Sequence, residues 1–303
     1  MSDVDAFHDP TTAALYAASN IGLFPQAKTS VYRYVGMRGD DAWARLESTV
    51  LHNTLPLTIS TILNDPFEAN PVIVNDVVSS DVKLFLNRFS KQEGITIAGL
   101  AFDVEMKGIS GQESVDESKA FEAKFMEQLH SFISFRNHHC HIGSFSRRIS
   151  SELQWSHYAD GYKGLAYHFV TQPIIESGFR YLRSVRYSTQ RPTILVSEIL
   201  DQMSKPRSDH FTRAWLSFEQ RSFLTKSTEW AYEEEERIIG QNVNNVRFLE
   251  SELVSVIVGP RFPSESLERL KAVAAKRSRP LRLFRAQPSP TSYSIEVDWT
   301  KEL

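Results

Sequence analysis

The residues whose types and spacing could do chemistry lie together at 230–237. Trp230 and Tyr232 are followed by the carboxylate run Glu233, Glu234, Glu235 and Glu236, then Arg237 and an Ile-Ile-Gly sequence. Adjacent carboxylates repel one another, and away from water or positive charge their pKa values are pushed up. The run is therefore either water-facing surface or a chemical centre. Extended, it sets Glu233, Glu235 and Arg237 on one face by period two, with Trp230, Tyr232 and Ile238 largely on the other. Coiled as a helix, it reduces Glu233 and Arg237 to an exposed i,i+4 pair contributing ~0.2–0.5 kcal/mol. Composition alone favours the exposed pair; the order of motifs described below favours the centre.

Four further groups of residues invite a chemical reading. His138-His139-Cys140-His141 offers imidazole and thiolate donors. Strand alternation lets at most two of these four face one ion, and no Cys-x-x-Cys or His-Glu-x-x-His supplies the rest, so no metal site is expected. Apolar neighbours likewise make Cys140 an inert buried thiol. Trp155-Ser156-His157-Tyr158-Ala159-Asp160, followed by Gly161-Tyr162-Lys163-Gly164, gathers titratable side chains at a helix end and turn, where a glycine-capped helix is the plainer reading. Ser144 and Ser146 share one strand face, and a serine buried there must find a hydrogen-bond partner. Arg33, between Tyr32 and Tyr34, could stack on them or hold a phosphate bidentately.

The elements that must position these residues follow from periodicity. Residues 1–28 read as a peripheral arm or helix. Ser30 to Val35 has strand composition, and Trp43, Leu46 and Val50 recur at helical spacing behind Asp40 and Asp41 as caps. Asn64-Asp65-Pro66-Phe67 is a turn, with the residue before proline held extended. Phe121, Phe125, Leu129 and Phe132 form a helical stripe. Strands are expected through Ile142 to Ser146, from Gly164 to Phe169 and from Leu253 to Val258. Helices are expected at Glu152 to Tyr158, around Thr193 to Met203, around His210 to Phe223 and at Ser264 to Arg277. Two short strands between Leu281 and Val297 end the series. Strands interspersed with helices, without regular βα units, give an α+β fold with a mixed central sheet and flanking helices, a single domain over 29–303. Neither a Gly-x-Gly-x-x-Gly nor a P-loop sequence occurs.

Composition bounds the function classes. The chain has 303 residues, 41% hydrophobic and 23% charged, enough for one large domain. A net charge of −3 and a pI near 6.3 argue against a broad nucleic-acid face. No apolar stretch reaches bilayer-spanning length, so no membrane partner is expected. The opening Met-Ser-Asp-Val-Asp lacks the basic and apolar regions of a signal peptide, giving the expectation of a cytoplasmic protein.

The motifs together resemble a bacterial and phage-borne family of unknown function. Its pattern runs through an opening Leu-Tyr-Lys-Tyr-Arg, then Asn-Asp-Pro-Phe, a Ser-x-Ser strand and Trp-Ser-His-Tyr-Ala-Asp-x-His-Lys-Gly. It closes on a Lys before Trp-x-Tyr-Glu-x-Glu-x-Arg. These correspond to Val31 to Val35, Asn64 to Phe67, Ser144 to Ser146, Trp155 to Gly164, and Lys226 with Trp230 to Arg237, so the resemblance spans about 30–240. Val35 stands where the pattern has its opening arginine, Arg33 where it has lysine, Tyr162 where it has a second histidine, and Gln154 where Met is common.

An arginine on the first strand, a Ser-x-Ser strand and a late Glu-x-Glu are similar to the pattern of ADP-ribosyltransferase-like folds. That resemblance implies NAD as substrate, in ADP-ribosyl transfer to an unknown protein or nucleic-acid acceptor or in NAD hydrolysis, by a defence or toxin-type effector. Glu235 would stabilise the oxocarbenium-like transition state, and Glu233 would orient or deprotonate the acceptor. Arg237 would offset their repulsion. Arg33, Ser144, Ser146, His157, Tyr158, Lys163, Trp230 and Tyr232 would bind NAD, with Asn64 and Asp65 at the rim. Two other classes stay open: a nuclease holding Mg²⁺ on Asp65, Glu233 and Glu235 with Lys163 steering phosphate, and a non-enzymatic module whose acidic strand meets a basic partner.

Overall fold

Alternating Tyr32, Arg33 and Tyr34 on the first strand decide which groups can meet, because successive side chains of a strand leave by opposite faces of its sheet. The computed structural model describes residues 29–39, 41–78, 80–82, 115–172, 174, 176–204 and 218–303. Their elements include β1 (Ser30–Val35), α1 (Ala42–His52), β2 (Thr54–Pro56), β3 (Val72–Val74), α2 (Val115–His138), β4 (Cys140–Ser146), α3 (Glu152–Tyr158), β5 (Leu165–Val170), β6 (Arg183–Ser184), β7 (Arg186–Ser188), β8 (Thr193–Leu195), α4 (Val196–Ser204), β9 (Thr225–Ser227), β10 (Glu235–Gln241), β11 (Asn245–Arg247), β12 (Leu253–Val258), α5 (Ser264–Ala274), β13 (Arg282–Pro288) and β14 (Ile295–Val297). The expected arm at 1–28 and most of the helix expected from His210 lie outside the described residues; 218–223 are helical.

The described residues divide into two compact units, one drawn from Ile59–Cys140 and Gln190–Thr225, the other from Asn20–Thr58, His141–Thr189 and Lys226–Leu303. In the first unit β3 and β8 pair in parallel, and Phe125, Leu129 and Ile133 of α2 pack with Ile194, Val196, Ile199 and Leu200. That cluster is the predicted helical stripe at work, although the side chain of Phe132 is outside the described set.

The second unit is built on a mixed sheet in the order β14-β13-β12-β5-β1-β4-β10-β6. Here β12 and β13 run parallel, while β1 is antiparallel to both β4 and β5. Tyr32 faces Ser146 across β1 and β4, so Tyr32, Tyr34, Ser144 and Ser146 share one face and Arg33 and Phe145 the other. The first of these faces is covered by α3. Its Trp155 is fully buried, meets Tyr34 edge-on at 5.1 Å and packs with Tyr32, Ala166, Ile257 and Phe284. On the Arg33 face lies α1, where Leu46 and Val50 are fully buried and Thr49 bonds to Tyr167. Asp41 stands at the N-cap of α1 without a side-chain cap bond.

Candidate functional site

The acidic run does not continue one strand back to Trp230. Residues Thr228–Glu233 wind as a 3-10 turn, Glu234 closes it in the left-handed region at φ 44° and ψ 53°, and the strand begins at Glu235. Ser227 starts the turn by accepting from Glu229 N, which is how a serine ahead of a helical turn satisfies an orphan donor. Trp230 and Tyr232 therefore belong to the turn and not to the back of a strand. The expected alternation holds from Glu235 onward, with Glu235 and Arg237 on one face and Glu236 and Ile238 on the other.

Two clamps hold the turn. Ser146 Oγ donates to the Glu233 carbonyl at 2.6 Å, and Gln154 Nε2 donates to the same oxygen at 2.8 Å and to Ser146 Oγ at 3.0 Å. Gln154 thus has a polar task that a methionine could not perform. Ser146 serves the backbone of the acidic turn, and Ser144 hydrogen-bonds the Glu235 carboxylate. Both serines gain the buried partners that their strand face demands.

Lys226 joins the two carboxylates. Its ammonium lies 2.6 Å from Glu233 Oε2 and 3.4 Å from Glu235 Oε2, and 4.6 Å from the Trp230 ring centroid. Arg237 grips Glu235 with two bonds, Nε to Oε1 at 2.7 Å and Nη2 to Oε2 at 2.9 Å. Tyr158 donates to Glu233 Oε1 at 2.7 Å, and Tyr187 OH accepts from Glu235 N at 2.8 Å. Lys226, Glu233, Glu235 and Arg237 are all buried. Glu236 is buried too, on the opposite face, where it pairs with Arg147 and accepts from Ser184 Oγ at 2.7 Å. Of the acidic run only Glu234 is exposed.

This environment separates the two carboxylates. Burial raises Glu233 above its usual range and the neighbouring Glu235 charge adds to that, while Lys226 and the Tyr158 hydrogen bond oppose it. For Glu235 burial would also raise the pKa. The Arg237 charge, the Lys226 charge and hydrogen bonds from Arg237 and Ser144 prevail, however, and bring it down to about 2. Paired groups driven apart in this way divide into a proton-handling member and a permanently ionised one. Burial, with help from both carboxylates, pushes Tyr187 up to about 12, which keeps it a neutral donor and acceptor.

Residues 154–238 match the family model described as a protein of unknown function (DUF2971). No curated protein and no solved structure matches the chain. The matched span holds Gln154, Tyr158, Tyr187, Lys226, Glu233, Glu235 and Arg237, that is, the whole network except the two serines. It also holds two of the sequence motifs, Trp155 to Gly164 and Lys226 to Arg237; those at Val31 to Val35, Asn64 to Phe67 and Ser144 to Ser146 fall outside it.

Around Glu233 the side chains are more open. His157 is exposed, Tyr158, Trp230 and Tyr232 are half-buried, and Tyr232 OH lies 3.3 Å from His157 Nδ1. Trp230 and Tyr232 stand 6.1 Å apart at a 39° tilt. The expected partners Ser144, Ser146, His157, Tyr158, Trp230, Tyr232, Glu233, Glu235 and Arg237 are therefore brought together.

Arg33 is not. Register and alternation send it through the opposite face of the sheet, where its guanidinium carbon lies 5.7 Å from the Phe145 ring; the flanking tyrosines point the other way. This corrects its placement among the NAD-binding residues, because the sheet itself separates it from Glu233. Lys163 is exposed on the turn after α3, whose backbone is set by left-handed Asp160, Gly161 and Tyr162. Asn64 and Asp65 belong to the first unit, where Asp65 Oδ1 accepts from Phe67 N at 2.9 Å and so makes the Asx turn. His138 and His139 bond to the carbonyls of Ser134 and Phe135 one helical turn back, and Cys140 is buried. Among the described residues no three His, Cys, Asp or Glu side chains gather to hold a metal.

Lys226, Tyr187 and Gln154 are the members that sequence reasoning missed as participants. Lys226 was visible in the family pattern, but nothing in its spacing says that an ammonium folds back seven residues to lie between two carboxylates. No local signal marks Tyr187.

Proposed function

We propose that Glu233 is the acid–base group of an enzyme that cleaves the nicotinamide glycosidic bond of NAD, by ADP-ribosyl transfer or by hydrolysis. The observation that supports this reading is the unequal pair. Both carboxylates have both oxygens engaged, but Glu235 is gripped by two cations, Arg237 and Lys226, whereas Glu233, held by Lys226 and the neutral Tyr158, is a buried carboxyl of raised pKa beside a half-open aromatic rim. In this reading Glu233 keeps the acceptor role first expected of it and takes over the stabilising role first expected of Glu235. Glu235 keeps Lys226 in place and Glu233 meets the substrate.

In this reading Trp230 and Tyr232 hold the nicotinamide ring by stacking, and His157 and Tyr158 line the ribose side. The bond between nicotinamide nitrogen and ribose C1′ breaks with its electron pair leaving on nicotinamide. Positive charge gathers on C1′ and the ring oxygen, and the Glu233 carboxylate stabilises it. Water or an acceptor hydroxyl then bonds to C1′ and passes its proton to Glu233. Lys226 and Tyr158 hold the carboxyl in register throughout. Arg148 is exposed and 3.8 Å from the exposed Glu234 at the close of the acidic turn, and in this reading it is the cation that meets the NAD phosphates.

The other two readings fit less well. A metal nuclease needs a cation between the carboxylates, and Lys226 already sits there. A binding module needs an acidic face, and three of the four glutamates are buried and paired. Incubation with NAD should release nicotinamide, and Glu233→Gln should lower the rate about 10²–10⁴-fold in a variant that circular dichroism shows still folded, Lys226 keeping Glu235 as its counter-charge. A rate unchanged by Glu233→Gln, or Mg²⁺-dependent cutting of DNA or RNA without nicotinamide release, would end the proposal.

A further inference from the structure

A second set of groups able to do chemistry crosses the sheet through His168. Register sets His168 of β5 opposite Tyr32 of β1, and a register shift in β12 between Leu253 and Ser255 brings Ser255 opposite His168 on its other side. Irregularities of that kind re-aim side chains. Ser30, two residues before Tyr32, leaves β1 by the same face. His168 Nδ1 lies 3.1 Å from Ser255 Oγ, and Nε2 lies 3.2 Å from Ser30 Oγ. None of the three belongs to the Glu233 network.

Packing accounts for only half of this chain of contacts. Ser255 is buried, so its hydroxyl must have a partner, and Nδ1 supplies one. Ser30 is exposed, and water would serve its hydroxyl equally well. The imidazole is nevertheless held against it, because Tyr32 stacks on the ring at 4.7 Å and 24° and Trp299 packs on it at 5.5 Å. Burial brings the pKa of His168 down to about 4, which leaves the ring neutral at physiological pH. A neutral imidazole fixed at one nitrogen and facing a serine hydroxyl with the other is the arrangement that activates a serine nucleophile.

We propose that Ser30 is the nucleophile of a second centre, an esterase for small aryl esters, with His168 as its general base and Ser255 positioning the ring. In the tautomer with its proton on Nδ1, His168 donates to Ser255 Oγ, and Nε2 accepts from Ser30. Ser30 Oγ bonds to the acyl carbon while its proton passes to Nε2. The ester C–O bond then breaks, and that proton leaves with the alcohol. Water next bonds to the acyl carbon and gives a proton to Nε2. As the bond to Ser30 Oγ breaks, that proton returns to the serine and the carboxylic acid departs. Trp299, partly exposed beside the imidazole, offers the aryl group a stacking surface. The centre works whether or not the chain cleaves NAD.

Reaction of the full chain with a fluorophosphonate, which phosphonylates activated serines and releases fluoride, tests this. Intact mass should show a single adduct, peptide mapping should place it on Ser30, and hydrolysis of p-nitrophenyl acetate should fall as labelling proceeds. Wild type and Glu233→Gln should label at equal rates, and Ser30→Ala should not label. His168→Gln should slow labelling about 10²-fold. Ser255→Ala should slow it about tenfold, and Ser255→Thr, which keeps the hydroxyl, should restore it. An unlabelled wild type, an adduct that survives Ser30→Ala, or equal rates in Ser255→Ala and wild type overturns the proposal even if His168→Gln fails to fold. Nicotinamide release is measured separately, so the failure of one reading is distinguishable from the failure of the other.

Discussion

Glu233 and Glu252 are both buried carboxyls of raised pKa in the second unit, yet their surroundings differ in kind. Glu252 is fully enclosed and held by neutral donors. It accepts from Gln172 N at 2.7 Å, from Leu249 N at 2.8 Å and from Ser177 Oγ at 2.7 Å and 2.9 Å. Those bonds tie the start of β12 to the end of β5 and to the turn at Gly178–Tyr181, a fastening task. Glu233 instead shares a lysine with a second carboxylate, bonds to a half-buried tyrosine and stands beside aromatic rings open to water. A carboxyl that ends on backbone amides fixes the chain. One that ends on titratable side chains can exchange a proton.

The largest expected effect lies in the ionic half of that contrast. Arg237→Met should destabilise the protein by about 3–5 kcal/mol in urea unfolding, because it leaves Glu235 buried without its bidentate partner. Glu252→Gln should cost less, about 1–3 kcal/mol, since an amide keeps one acceptor but its NH₂ group faces donors. If Glu252→Gln proves the more damaging, the division between fastening and ionic centres is wrong.

The two kinds of carboxyl also oppose one another in pH. Glu235 has a folded pKa of about 2 against an ordinary 4.5, so its stabilisation is present above 4.5 and is lost as pH falls towards 2. Glu252 is raised, so the folded state binds its proton more tightly than the unfolded chain. Its contribution is full below about 4.5 and declines as pH rises through its folded value. Unfolding free energies measured across pH should show Glu235→Gln flattening the slope below 4.5 and Glu252→Gln flattening it above. Parallel slopes in both variants would remove the distinction.

Tyr158→Phe should have the smallest stability effect, about 0.5–1.5 kcal/mol, because Lys226 still holds Glu233. Its mark is in the pH–rate profile. The Tyr158 bond favours ionised Glu233, so its loss should move the acidic limb to higher pH. An unmoved limb would make Tyr158 a packing residue only.

Much of this was legible in the chain itself. The α2 stripe at Phe125 and Leu129, the buried run Leu253–Val258 and the mixed α+β order all follow from apolar periodicity, which burial imposes on any stable element. So did the common face of Glu235 and Arg237. The turn at Thr228–Glu233 was not legible, because its aromatic residues also suit a strand. What bends them is the pair of clamps from Ser146 and Gln154, more than seventy residues away in sequence.

The sequence by itself determined that Arg33 leaves β1 opposite to Tyr32 and Tyr34, since backbone pleating makes that alternation unavoidable. It also determined that the acidic run had to find positive charge or water. Only the tertiary structure decided which face of the sheet would receive the acidic turn, and hence that the tyrosines and serines share its side while Arg33 does not. Those are matters of strand register and chain return. They are fixed by contacts between residues far apart along the chain, and no local pattern records them.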